Sequence, residues 1–184
     1  MEMQRKPSLI LGGMIGALLT APLIAIFYLA DRALGLPFAP FDLFDWFGRI
    51  VPGELITFVI DTIVDTIIAL DLGTVDQTAK IVEQIMALGM MVGVGAVIGA
   101  VVYAALNRTR SADPMVSGAI VGIGLGFVFM LMFNRVNLTA TADTNLSRIW
   151  LIVAFAIWGI ALGWTYSALR SMGAEGEKTR VAVE

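Results

Sequence analysis

Four apolar stretches constrain this chain more than any other feature. They are Leu9–Ala30 (LILGGMIGALLTAPLIAIFYLA), Ile85–Leu106 (IMALGMMVGVGAVIGAVVYAAL), Met115–Phe133 (MVSGAIVGIGLGFVFMLMF) and Ile149–Leu169 (IWLIVAFAIWGIALGWTYSAL), each bounded by charged or strongly polar residues. A helix needs about 20 mostly apolar residues to cross a bilayer, and within lipid a single segment satisfies its own backbone only as a helix. Composition agrees: 58% of residues are hydrophobic and 15% charged, with a mean hydropathy of +0.86, where a soluble domain carries roughly 25% charged residues. The expected fold class is therefore all-α integral membrane, a four-transmembrane-helix bundle. A single membrane domain over residues 1–169 is followed by a tail, 170–184, expected to be disordered.

Arg5 and Lys6 ahead of the first span give it the outline of a signal peptide. The run is too long for a signal core and ends at Asp31-Arg32 without a small-residue cleavage pattern, so an uncleaved helix is expected. Pro22 inside it is tolerable in a membrane helix, as a kink.

Lys and Arg set the orientation. With the N-terminus inside, the cytoplasmic pieces hold Arg5, Lys6, Arg108, Arg110, Arg170, Lys178 and Arg180, whereas the outer pieces hold Arg32, Arg49, Lys80, Arg135 and Arg148 over about twice the length. Acidic residues are biased outward, so both termini are expected to be cytoplasmic. Phe27, Tyr28, Trp150, Trp164 and Tyr166 lie near span ends, where amphipathic rings favour the headgroup level. Trp158 is mid-span and calls for a packing role.

Glycines recur at four-residue spacing: Gly12 and Gly16; Gly89 and Gly93, then Gly95 and Gly99; Gly118, Gly122 and Gly126; Gly159 and Gly163. Such spacing flattens one helix face and lets backbones approach. All are read as packing faces. GIGLG at Gly122–Gly126 lacks the strand that a nucleotide fingerprint needs. The short link NRTRSADP predicts a tight antiparallel hairpin of the second and third spans, with Asp113 as cap and Pro114 in the first turn.

Between the first two spans lies a stretch too charged for the bilayer and too apolar for an ordinary loop. On a helix over 54–72, Glu54, Thr57, Asp61 and Asp65 share one face with Thr62 beside them. Ile56, Val59, Ile60, Ile63, Val64, Ile67 and Leu70 take the other. Pro52-Gly53 precedes this helix and Gly73 can end it; Thr74 or Asp76 can cap the next. A shorter amphipathic piece, Phe41–Val51, sets Phe41, Phe44, Trp46, Phe47 and Val51 against polar Asp42, Asp45 and Arg49, after a turn at LPFAP. Carboxylates at i and i+4 repel and are costly at the bilayer centre. The segment 38–72 is therefore expected to be an extracytoplasmic in-plane cap that seals the bundle or presents a docking surface. The candidate surface comprises Phe41, Phe44, Asp45, Trp46, Glu54, Asp61 and Asp65. The carboxylates read as a solvated face, a Ca²⁺ site or a dock for a basic partner.

Chemistry is narrowed by what is missing. With no Cys and no His, thiolate nucleophiles, disulfides and the commonest haem and zinc ligands are excluded. Met86, Met90, Met91, Met130 and Met132 are read as adaptable packing. No catalytic residue, cofactor or metal site is expected, and a net charge of −3 offers nucleic acid no footprint.

The segments LPFAPFDLFDWFGRIVPGELITFVID and DQTAKIVEQIMA, with a last span ending WGIALGW, resemble the N-terminal membrane region of bacterial molybdopterin-dependent oxidoreductases of the sulfite-oxidase type. The resemblance covers about residues 9–169 and rests on apolar pattern. It implies a multi-helix membrane region, followed in that family by an extracytoplasmic catalytic domain whose molybdenum is held by a cysteine. Here a short polar tail stands in that domain's place and no cysteine exists, so no catalytic residue carries over. The resemblance thus implies a stand-alone anchor in a bacterial cytoplasmic membrane, serving an oxidoreductase on another chain. A bacterial source also sets aside the glycosylation patterns at Asn107, Asn137 and Asn145.

Three functions follow in order: a non-catalytic membrane anchor or assembly subunit docking an extracytoplasmic redox protein; a small transporter or channel subunit acting as a homo-oligomer, disfavoured because the span centres hold no ionisable residue; and an interfacial enzyme using Asp61 and Asp65. The lipid bilayer and a membrane or extracytoplasmic protein are the expected partners.

Overall fold

A computed structural model describes residues 7–69, 75–109, 113–136 and 140–181. Six helices make up the described chain: α1 Leu9–Leu34, α2 Ala39–Ile50, α3 Gly53–Ala69, α4 Val75–Arg108, α5 Pro114–Val136 and α6 Thr144–Val181. Among the described residues there is no strand. Four of the helices, α1, α4, α5 and α6, are long and apolar enough to span a membrane. The chain is an all-α membrane bundle.

Each span runs past its apolar stretch. α1 continues through Asp31 and Arg32, with the Arg32 guanidinium 5.4 Å from the Tyr28 ring centre. α4 absorbs the polar lead-in from Val75, and α6 carries the tail as helix to Val181. The tail thus differs from the expected irregular segment through Val181. It lacks proline and is rich in Ala, Glu, Lys and Arg, which favour helix. α1 passes unbroken through Pro22. Gly73 and Thr74, proposed as stop and cap, and the Asp76 side chain lie outside the described residues.

Local signals set the ends. The Ser8 hydroxyl accepts from the Leu11 amide at 3.1 Å. Gly35 closes α1 at φ 64°, its N–H reaching the Asp31 carbonyl at 2.9 Å, an end for which glycine is favoured because it has no Cβ. Asp113 caps α5 through the Met115 amide at 2.9 Å, with Pro114 in the first turn. Asp143 caps α6 through the amides of Asn145 and Leu146.

The bundle consists of two closely packed antiparallel pairs, α1 with α4 and α5 with α6. In the first, Gly12, Gly16 and Thr20 meet Tyr103, Gly99 and Gly95. A Cβ on Gly16 would overlap the Gly95 carbonyl oxygen, and one on Gly99 would overlap that of Gly12. In the second, Gly118, Gly122 and Gly126 meet Gly159, Gly163 and the backbone of Leu151–Ala156. Spans α4 and α5, expected to form the tight hairpin, barely touch despite their short link. The glycine face of α4 turns to α1 and that of α5 to α6, so the close approaches are made elsewhere.

Gly89 and Gly93 correct the packing expectation. Nothing lies within 4 Å of a Cβ on either. Gly95 follows Gly93 by two residues, about 200° around the axis, so the two glycine registers of α4 face opposite ways and only one can meet α1.

The two pairs share one core. Phe129 stacks on Phe155 with ring centres 4.4 Å apart, and Phe155 lies 5.6 Å from Phe27. Trp158 is buried there. Phe27 and Tyr166, expected at the headgroup level, are also inside: Phe27 is fully buried with Trp150 edge-on at 5.9 Å, while Tyr28 and Trp164 remain exposed. At the end where the chain starts, the Asn107 amide donates to the Pro7 carbonyl at 2.8 Å and accepts from the Tyr166 hydroxyl at 3.0 Å. The Tyr103 and Thr165 hydroxyls pair at 3.1 Å. These bonds join α4 and α6 to each other and to the residues that lead into α1. Only 22% to 44% of each apolar window is buried within the chain, which leaves the rest to lipid.

Candidate functional site

The opposite end of the bundle carries α2 and α3. The turn Gly35–Phe38 is clamped from across the fold: the Gly35 carbonyl accepts from the amides of Thr141 and Ala142, both at 2.9 Å. It delivers α2 nose-first between α4 and α5, with Pro40 in the first turn, where its missing N–H costs nothing.

Burial in α2 therefore runs along the axis instead of across it. Phe38, Ala39, Pro40, Asp42 and Leu43 are buried, while Trp46, Phe47 and Ile50 are exposed. Sequence periodicity groups Asp42 with Asp45 and Arg49 on a polar side opposite an aromatic one, and the structure separates it from them. Asp42 is 2% exposed, and it is partnered. α2 acts as a wedge in the mouth between two spans, and an amphipathic reading by periodicity alone misses that geometry.

Beyond the wedge, the exposed half of α2 and the first turns of α4 enclose a cleft of about 400 Å³. Phe41, Phe44, Asp45, Gly48 and Arg49 line the α2 side. Lys80, Glu83 and Gln84 line the other. Arg49 Nε donates to Asp45 Oδ2 at 2.7 Å, a pair at i,i+4 that is worth little where solvent reaches it. Lys80 and Glu83 hold no hydrogen bond or ion pair among the described residues.

α3 packs on α4 alone among the spans to any extent. Glu54, Asp61 and Asp65 are exposed, and so are Phe58, Ile60 and Ile68. The hydroxyls of Thr57, Thr62 and Thr66 bond back to carbonyls one turn earlier. The seven sequence-nominated surface residues thus fall into separate groups: Phe41, Phe44 and Asp45 line the cleft, Glu54, Asp61 and Asp65 stand on α3, and Trp46 lies exposed on α2. Glu54 and Asp61 are about 10 Å apart along the helix, too far to share a cation, and no acidic cluster able to hold a metal occurs among the described residues.

Sequence reasoning missed Lys80 and Glu83 as site residues. They counted only toward topology. Charges one turn ahead of a span, facing an i,i+4 ion pair on a neighbouring amphipathic helix, were the available signal.

Fold and site together define a multi-pass helical membrane protein whose first loop wedges one helix into the bundle and leaves a second outside it. The chain matches no family model, no curated protein and no solved structure.

Proposed function

We propose that the protein is a non-catalytic membrane anchor or assembly subunit. Its α3 face, with Glu54, Asp61 and Asp65, docks an extracytoplasmic protein. The observation that supports this best is α3 itself. Its acidic row is unpaired among the described residues and its apolar Phe58, Ile60 and Ile68 stay uncovered by the bundle. An acidic row flanked by apolar side chains suits a partner with a basic, partly apolar patch, since complementary charge steers association and apolar burial holds it.

The resemblance to the membrane region of molybdopterin-dependent oxidoreductases names the partner's class as a redox protein. The Lys and Arg distribution favours cytoplasmic termini in a bacterial cytoplasmic membrane, with α2 and α3 outside.

The test is a tagged pull-down from native membranes in mild detergent, read by mass spectrometry. A stoichiometric redox protein is expected, lost from an Asp61→Lys/Asp65→Lys variant that still folds. A homo-oligomer with no second protein would sink the anchor reading.

A further inference from the structure

We propose that the cleft between α2 and α4 binds the headgroup of a zwitterionic phospholipid of the phosphoethanolamine class. The argument starts from depth. About 42 Å of helix axis separates Lys80 from Arg108 on α4 at about 1.5 Å per residue, close to the roughly 40–45 Å of a bilayer with its headgroups. With Arg108 at one surface, Lys80 and Glu83 therefore lie at headgroup level on the other. The apolar face of α4 begins directly below them.

The lining fits one headgroup chemistry. Arg49 and Lys80 supply two cations, Asp45 and Glu83 two carboxylates, and only one of the four possible pairings is closed, Arg49 with Asp45 at 2.7 Å. Among the described residues the Lys80 ammonium has no partner and can meet a phosphate oxygen, as can the part of the Arg49 guanidinium that Nε does not use. Glu83 and the second oxygen of Asp45 are free to accept from a primary ammonium. Phe41 and Phe44 give the same cleft an apolar wall against the glycerol and the first acyl carbons. The volume of about 400 Å³ falls within the range of small-ligand pockets, roughly 300–1,000 Å³. An anionic headgroup would satisfy the cations and leave two carboxylates facing its charge. A choline headgroup carries no N–H for them. The charged lining shares no residue with the acidic row on α3.

The full chain is reconstituted in nanodiscs of equal phosphatidylethanolamine, phosphatidylcholine and phosphatidylglycerol, then extracted in mild detergent, and the retained lipid is read by native mass spectrometry. About one phosphatidylethanolamine per chain is expected, enriched at least fivefold over the other two. Arg49→Gln/Lys80→Gln removes the enrichment. Asp45→Asn/Glu83→Gln keeps the cations and turns the preference to phosphatidylglycerol, a swap that a merely misfolded variant cannot produce. Retained lipid that mirrors the bulk mixture, or a wild-type preference for phosphatidylglycerol, overturns the assignment. Water-soluble glycerophosphoethanolamine separates the sources: if it binds at micromolar concentration while no lipid is retained, the lipid assignment fails and a soluble phosphoamine is the ligand.

Discussion

Replacing Gly122 by Ala tests the packing of the α5–α6 pair, and Gly89→Ala is its control. A Cβ on Gly122 would overlap the Phe155 carbonyl oxygen and come within 3.0 Å of Ala156 Cα, whereas one on Gly89 meets nothing within 4 Å. Non-bonded carbons prefer about 3.5–4.0 Å, and a gap of about 0.5–1 Å forfeits a quarter to a half of each contact's attraction. The neighbour at Gly122 is backbone, which cannot rotate aside as a side-chain tip would. Relief therefore requires the two helices to separate, and the loss spreads along the interface through Gly118 and Gly126. Overpacking of this kind costs about 1–3 kcal/mol. Whatever helix propensity alanine adds, up to about 1 kcal/mol, is added at both sites and cancels in the comparison. At about 2–4 °C per kcal/mol for a chain of this size, the detergent-solubilised Gly122→Ala protein should melt about 2–12 °C below Gly89→Ala. Equal melting temperatures would refute the claim that close backbone approach holds the pair.

Substitutions at a turn and at one interhelical network have calculable outcomes too. Gly35→Ala combines a left-handed backbone penalty of about 1–2 kcal/mol with overlap on the Thr141 hydroxyl. A lower melting temperature is expected, and adding Thr141→Ala should recover only the steric part. Tyr166→Phe removes one interhelical hydrogen bond, worth about 0.6 kcal/mol on average within membranes. Asn107→Leu should lose about twice that in denaturant-unfolding measurements, because it breaks the bonds to both Tyr166 and Pro7.

The spans were legible because apolar length is a property of one segment. The caps at Asp113 and Pro114 were legible for the same reason. Pairing was not, since glycine spacing marks a flat face without naming the helix that meets it. In α4 two such faces, Gly89 with Gly93 and Gly95 with Gly99, are interleaved, and nothing local chooses between them. Loop length pointed α4 at α5, while the glycine faces sent each to another neighbour. Asp42 was misplaced because periodicity reports burial across a helix, and α2 is buried from its tip. The cleft needed both elements at once: Asp45 and Arg49 lie far in sequence from Lys80 and Glu83, and only the wedged pose of α2 brings them together.

The pairing of α1 with α4 has a consequence for biosynthesis. α5 and α6 are consecutive and can close on each other as soon as both are made. α1 reaches the membrane first, yet the helix that fits its glycine face emerges only after residues 35–74 have been synthesised and carried to the far side. During that interval Gly12 and Gly16 face lipid or the insertion machinery. α2 cannot take its place until α5 exists to form the other wall. The first helix in is thus held unpaired, and the wedge goes in near the end.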